Sequence, residues 1–237
     1  MASPAPTSPT HPLTPPTKGP YLDKTVRDRL EIIEPYVRGR STLDLGVVDA
    51  RPQRHSAEER IAYKANLLFK RLAEVNSDIV GLDIDPAGCD VLREQGYNTV
   101  CDNVETMDLG RTFQTIVAGE IIEHLENPGL FLRNMHRHLT DDGVLLVSTP
   151  NPFYAGSAWK IWRYGRPAVH EDHMGWQDPT TLDQLLVRTG FRPTDGAWVQ
   201  PARNPLKTWK RILRPYFSHG FIRVAAKVPA TQGNPPA

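Results

Sequence analysis

The chain has 237 residues, and its 28 Lys and Arg against 27 Asp and Glu leave a formal charge of +1, which excludes a domain-wide basic field for nucleic acid. No polybasic run favours an anionic membrane, no apolar run approaches the ~18 residues of a membrane span, and no signal-peptide pattern opens the chain. Cys89 and Cys101 are too few for a disulfide framework, and a hydrophobic content of 39% suits one ordinary core, so a cytoplasmic globular domain is expected.

Residues 1–20 carry 7 of the 22 prolines among Ser, Thr and Ala. They and residues 229–237 read as disordered tails around a domain spanning 21–228. Thr25 to Val37 places Val26, Leu30, Ile33 and Tyr36 at helical spacing, which predicts one helix. Ser41 to Gly46 predicts a buried strand. The spacing of Ser56 and Glu59 is that of a capping box and opens a helix. Asp78 to Ile84 predicts a second strand, and Pro86 the first turn of the next helix. Tyr97 to Cys101, Thr115 to Gly119 and Gly143 to Thr149 are three more strands, with a helix over Leu130 to Leu139 between the last two. Thr180 to Arg188 predicts a helix that Gly190 stops, and Phe221 to Val228 a last strand. Continuous apolar strands separated by helices imply an α/β class: a Rossmann-like doubly wound sheet, mostly parallel. Ligands in such sheets sit beyond the carboxyl ends of the strands, where the strand order reverses.

The residues just after each strand carry chemistry. The first predicted strand ends in Asp44-Leu45-Gly46 and the second in Gly81-Leu82-Asp83-Ile84. An acid at Asp83 suits the two hydroxyls of a ribose. Asp102 and Asn103 could reach an adenine edge while Val104 packs on the ring. After the fourth strand, which ends at Gly119, comes Glu120-Ile121-Ile122-Glu123-His124. If that stretch turns helically, positions 120, 123 and 124 share one face. Two carboxylates and an imidazole there make an oxygen and nitrogen site for a divalent cation.

These motifs, with the Thr149-Pro150-Asn151 turn, resemble class I S-adenosylmethionine-dependent methyltransferases. The resemblance implies cofactor contacts at Asp44, Gly46, Asp83, Ile84, Asp102, Asn103, Val104 and Gly119. The first loop departs from the family pattern: Gly46 is followed by Val47-Val48-Asp49-Ala50, where two glycines are missing. The Glu-x-x-Glu-His spacing and the later Asp172-His173 with Trp176 are similar to a metal-dependent branch. That branch holds the enzymes that 2′-O-methylate the 3′ end of small RNAs, and the ubiquinone-pathway O-methyltransferases share the likeness. By this match Glu120, Glu123, His124 and His173 hold Mg2+ or Mn2+. The catalytic set implied is His170, His173, Glu123 and His124, with His170 as a candidate general base. In many metal-free methyltransferases a similar Glu-His pair only touches cofactor or substrate, and that alternative stays open here.

Residues 152–179 form an aromatic-rich insertion after the fifth predicted strand, expected as a lid. Tyr154, Trp159, Trp162, Arg163, Arg166 and Trp176 are its candidate substrate residues, because tryptophans suit sugar faces and aromatic rings while arginines suit anions. Asn98 through Asn151, with its Glu-His motif and Thr-Pro-Asn turn, also resembles methyltransferases of glycan pathways. The expectation is therefore metal-assisted O-methylation of a sugar or other small-molecule hydroxyl, a carbohydrate acceptor being the first choice. An RNA-terminal 2′-O-methyltransferase, a catechol-type O-methyltransferase and a non-catalytic binding module are the alternatives. Neutral charge disfavours nucleic acid, although Arg203, Lys207, Lys210, Arg211 and Arg214 form a local basic stretch. A homodimer with exchanged lids is compatible with the pattern.

Overall fold

The computed structural model describes residues 22–48, 56–63, 67–167, 170–200 and 213–229. The first predicted tail, all of the second but Pro229, the loop from Asp49 to His55 and most of the basic stretch lie outside these residues.

One eight-stranded sheet organises the chain. Its strands are β1 (Lys24–Val26), β2 (Thr42–Leu45), β3 (Ile79–Asp83), β4 (Thr99–Cys101), β5 (Phe113–Gly119), β6 (Leu139–Pro150), β7 (Phe191–Val199) and β8 (Gly220–Lys227). They lie in the order β1-β7-β8-β6-β5-β2-β3-β4. All the pairings are parallel except those of β8, which runs antiparallel to both β6 and β7. The Rossmann-like, mostly parallel sheet expected from the sequence is the observed one.

Helices cover both faces, as apolar strands on a parallel sheet require. They are α1 (Leu30–Val37), α2 (Ala57–Tyr63), α3 (Leu68–Ala73), α4 (Pro86–Glu94), α5 (Pro128–His138), α6 (Ala155–Tyr164), α7 (Pro179–Arg188) and α8 (Arg214–Phe217). One apolar layer, around Phe113, Phe131, Leu145 and Phe221, lies under α5 and α7. The other, around Ile33, Phe69, Leu72 and Leu146, lies under α1 and α3. The termini of the helices follow from sequence: Asp178 caps α7 through the backbone N–H groups of Thr180 and Thr181, and Pro86 and Pro179 open α4 and α7 at positions where a missing N–H costs nothing.

Two elements depart from the sequence reading. Thr25 and Val26 do not join the first helix; they form β1, which pairs with Trp198 and Val199 at the sheet edge before α1 starts at Leu30. The segment Arg192-Pro193-Thr194-Asp195-Gly196, which has the makeup of a turn, is instead the first half of β7. A register shift between Pro193 and Asp195 lets the proline sit in the strand, as at a bulge.

The strand order reverses between β2 and β5. Leu45-Gly46 and Gly119-Glu120 therefore meet at the carboxyl edge where such folds bind ligands.

Candidate active site

Gly46 leaves β2 with φ +71°, a left-handed turn that glycine adopts without strain. Val48 stands at one of the two missing-glycine positions, and the other, Ala50, lies outside the described residues. Val47 and Val48 are buried in the core, and each has a glycine beneath it. A Cβ at Gly81 would stand 3.1 Å from Val47 Cγ1, and one at Gly88 would stand 2.5 Å from Val48 Cγ1. Gly81 and Gly88 thus leave room for the two valine side chains.

Asp83 is buried at the end of β3. Its Oδ2 accepts the Val48 N–H at 2.8 Å and its Oδ1 the Asp85 N–H at 3.0 Å. Burial raises its pKa, and these backbone donors oppose the rise. Each carboxylate oxygen retains a second lone pair for a ribose hydroxyl. Beside it Ile84 is 69% exposed, an apolar side chain at the strand end that suits a ring face. Asn103 accepts the Glu105 N–H and Asp102 the Asn103 N–H, which shapes the turn after β4. Val104, expected to pack on an adenine ring, is instead 6% exposed and belongs to the core layer under α5. Asp44 is wholly enclosed within β2; burial pushes its carboxyl up to about 7, and the Arg29 charge opposes this.

Arg29 has no counterpart among the residues expected from sequence. Its guanidinium Nη1 donates to Ser148 Oγ at 3.2 Å and lies 3.3 Å from Glu120 Oε1. A Cβ on Gly119 would stand 3.5 Å from that same Nη1. It is thus a cation set over the reversal point. The sequence hides this role because Arg29 falls inside the helical spacing that runs from Val26 to Tyr36.

Glu120 is the non-glycine residue with positive φ (56°) among the described residues. This conformation costs a side-chain-bearing residue on the order of 1 kcal/mol and persists where the surroundings enforce it. The Glu120 N–H bonds Ser148 O at 2.9 Å, and the side chain faces Arg29. The expected helical turn through Glu120 is therefore corrected: a three-residue 3-10 helix spans Ile122–His124, and Glu120 stays outside it.

The structure does bring Glu123, His124 and His173 together, each with a ligand atom within 4.8 Å of the others. Glu123 is 2% exposed and accepts the Thr149 hydroxyl at 3.1 Å. Burial pushes its carboxyl up to about 7, and Glu120 adds to that. His173 has its pKa lowered by burial and then by His124 and His170, so at neutral pH it presents a lone pair. His124 Nδ1 is 3.1 Å from the Asp172 carbonyl oxygen, which takes its N–H and leaves Nε2 as the acceptor nitrogen. The Glu123 carbonyl accepts N–H groups from Met174 at 2.8 Å and Gly175 at 3.1 Å, and so ties the distant His170 to Trp176 segment to this turn. His170 stands at the rim, its ring 5.6 Å from that of His173 and its Nδ1 3.5 Å from Asp172 Oδ2. A cavity of about 210 Å³ opens beside the cluster, lined by Arg27, Arg29, Glu120, Thr149, His219 and Phe221 among others.

The expected ligand wall does not line this cavity. Trp159, Trp162, Arg163 and Arg166 are exposed on and after α6, Tyr154 packs over Gly156, and Trp176 is partly exposed next to Gly175. The positions that do line it come from the turn between β1 and α1 and from the start of β8, and the helical spacing of Thr25 to Val37 hides that turn.

A family model described as a methyltransferase domain matches residues 63–195, more than half of the chain. The ubiquinone biosynthesis O-methyltransferase of Azorhizobium caulinodans is 33% identical over 97 residues, covering 36% of each chain. That of Rickettsia conorii is 23% identical over 203 residues, covering 69% of this chain and 70% of its own. The chain spans 36–57% of the length of the first five such curated relatives. In fold it is similar to an S-adenosylmethionine-dependent methyltransferase from Mesorhizobium loti (TM-score 0.58, 15% identity, 84% of this chain and 95% of that one). It is likewise similar to one from Archaeoglobus fulgidus (TM-score 0.57, 18% identity, 84% and 91%). No helix among the described residues is long and apolar enough to cross a membrane. With its sheet, reversal point and matched segment in agreement, the chain belongs to the methyltransferase domain family.

Proposed function

We propose that the protein is an S-adenosylmethionine-dependent O-methyltransferase that uses a divalent cation to act on a small molecule bearing adjacent hydroxyls, such as a sugar or a catechol-type ring. The observation that carries this reading is the convergence of Glu123, His124 and His173 beside the β2/β5 reversal point.

The crevice fits the cofactor. Gly46 opens the loop, Asp83 offers acceptor lone pairs for a ribose, Ile84 offers an apolar face, and Arg29 supplies the cation that a methionine carboxylate needs. S-adenosylmethionine supplies an electrophilic methyl group on sulfonium. The cluster fits a cation of the Mg2+ or Mn2+ type, with one carboxylate and two imidazoles, and Thr149 and Asp172 orienting the ligands; two histidines lean towards the softer ion. A divalent cation lowers the pKa of a hydroxyl it binds, which otherwise lies far above neutrality.

The chain's own residues then position and deprotonate the acceptor. Glu123 and the two histidines fix its hydroxyl near Glu120, at the end of β5. His170, neighboured by Asp172, takes the hydroxyl proton as the oxygen–methyl bond forms and the sulfur–methyl bond breaks. The acceptor's remaining atoms extend into the cavity between Thr149, His219 and Phe221. Both sugar and catechol acceptors suit this arrangement, and the activity by which the relatives are named, O-methylation in ubiquinone biosynthesis, favours testing the catechol class beside the sugar.

The test is transfer of labelled methyl from S-adenosylmethionine to a panel of catechols and methyl glycosides, with Mn2+ or with a chelator. Labelling that requires the cation is the expected result. Equal transfer in the chelator would overturn the metal-assisted mechanism, and transfer to no hydroxyl compound would overturn the acceptor class.

A further inference from the structure

The Thr149-Pro150-Asn151 turn builds a joint that the mechanism above leaves unused. Asn151 is buried, and its side chain is engaged on both sides. Its amide nitrogen donates to the carbonyls of Pro215 and Ser218, the latter at 2.7 Å, and its Oδ1 accepts the Phe153 N–H at 3.0 Å. The backbone closes the same joint. The Asn151 N–H donates to the His219 carbonyl at 2.9 Å, and the His219 N–H to the Val199 carbonyl at 3.1 Å. Residue 219 is thereby fixed between the ends of β6 and β7, at the carboxyl edge of the sheet.

His219 lines the cavity of about 210 Å³ beside Thr149 and Phe221, and it is exposed there. Most other polar side chains around that space are already engaged. Thr149 gives its hydroxyl to Glu123, Asp28 accepts from Arg71 at 2.8 Å, and Arg29 pairs with Glu120. The His219 ring has no hydrogen-bond partner among the described residues, and neither has the exposed Arg27 guanidinium. Desolvation by the surrounding atoms lowers the His219 pKa, so at neutral pH one ring nitrogen donates and the other accepts. A neutral imidazole suits a hydroxyl, which also donates and accepts, and offers no charge to an anion.

Size limits what reaches this ring. Ligand pockets commonly span ~300–1,000 Å³, so a space of about 210 Å³ takes one ring rather than an oligosaccharide. Val199 and Phe221 give that space an apolar wall. Thr149 bonds Glu123 at 3.1 Å and lines the same cavity, which therefore opens one hydrogen bond away from the Glu123 cluster. An acceptor whose adjacent hydroxyls sit at the cluster turns its far edge towards His219. On the strength of that reading of the cluster, we propose that His219 determines specificity by hydrogen-bonding a third hydroxyl of a single-ring acceptor, and that Asn151 is its positioning residue. The preferred substrate class is then a ring triol rather than a ring diol.

The full chain, loaded with S-adenosylhomocysteine and Mg2+, is titrated calorimetrically under nitrogen with four probes. These are catechol, pyrogallol, 1,2,4-trihydroxybenzene and, as the anionic competitor, 3,4-dihydroxybenzoate. At least one triol is expected to bind about tenfold more tightly than catechol, the range of one neutral hydrogen bond. His219→Ala should erase that preference and leave catechol affinity unchanged, while His219→Gln, which keeps a donor and an acceptor, should restore part of it. Asn151→Asp, which loses both donors to the turn, should lower the preference in a chain that circular dichroism shows to be folded. The proposal is overturned if the parent binds triols no better than catechol, if it binds none of the four, or if His219→Ala weakens catechol and triol alike. It is also overturned if the benzoate is preferred and Arg27→Ala removes that preference. Absence of S-adenosylhomocysteine binding would overturn the methyltransferase reading and the role of His219 with it, whereas the other outcomes overturn the role of His219 alone.

Discussion

Arg29 Nη1 lies 3.3 Å from Glu120 Oε1 across the reversal point of the sheet, joining the residue before α1 to the end of β5. The pair is partly exposed and 3.3 Å apart, so as a surface ion pair it adds less than about 1 kcal/mol of stability. In the proposed function it sets a guanidinium beside the carboxylate of the bound cofactor. Arg29→Ala is expected to weaken S-adenosylmethionine binding roughly 10- to 100-fold, the range of one charge-assisted contact. Calorimetric affinity checks this, and an unchanged dissociation constant would remove Arg29 from the cofactor site.

The left-handed conformation of Glu120 makes a separate prediction. Glycine accepts φ 56° freely, whereas alanine carries the same steric cost as glutamate and lacks the ion pair. Glu120→Gly is therefore expected to be more stable than Glu120→Ala by about 1 kcal/mol. Urea unfolding of the two variants decides it; equal midpoints would mean the backbone relaxes at that position.

Val48 and Gly88 test how a glycine-poor loop packs. A methyl at Gly88 would approach two Val48 methyls at 2.5 and 2.6 Å, so Gly88→Ala is expected to cost about 1–3 kcal/mol. Adding Val48→Ala should recover part of the loss, and the double-mutant cycle should show coupling above about 0.5 kcal/mol. Additive effects would mean that the Val48 side chain does not occupy that space.

Asp44 sets a pH dependence. Burial raises its folded carboxyl to about 7, while an unfolded aspartate titrates near ~4. The folded chain then holds a proton that the unfolded chain has lost. Stability from this group is full below about pH 4 and is lost as pH rises towards about 7. Asp44→Asn should flatten that decline, as measured by denaturant unfolding at about pH 5 and about pH 7.5. A decline as steep as the parent's would place the titration elsewhere.

Most of the sheet could be read from the chain because its central strands are continuous apolar runs bounded by Gly, Pro and Asp. Buried parallel strands leave that pattern whatever their partners. The edges were harder. Lys24–Val26 is three residues long, and its Val26 also fits the helical spacing of α1; only pairing with β7 makes it a strand. Pro193 and Gly196 disguise β7, whose bulge is a tertiary accommodation. At the site, Glu123, His124 and His173 were legible from spacing and resemblance. The position of Glu120 was not, because it depends on a backbone angle enforced by β6 and on a cation, Arg29, delivered from the turn before α1. The tryptophans of 152–179 were visible as a cluster, but only the fold shows that α6 leaves them uncovered.

The most direct test is a calorimetric titration of the full chain with S-adenosylmethionine and with Mn2+, repeated on Glu123→Gln and His173→Ala. Micromolar cofactor binding is expected in all three proteins. Mn2+ binding to the parent is expected to fall about 10- to 100-fold or more in either variant. Absence of cofactor binding to the parent, or Mn2+ binding indifferent to Glu123 and His173, would contradict a metal-assisted methyltransferase.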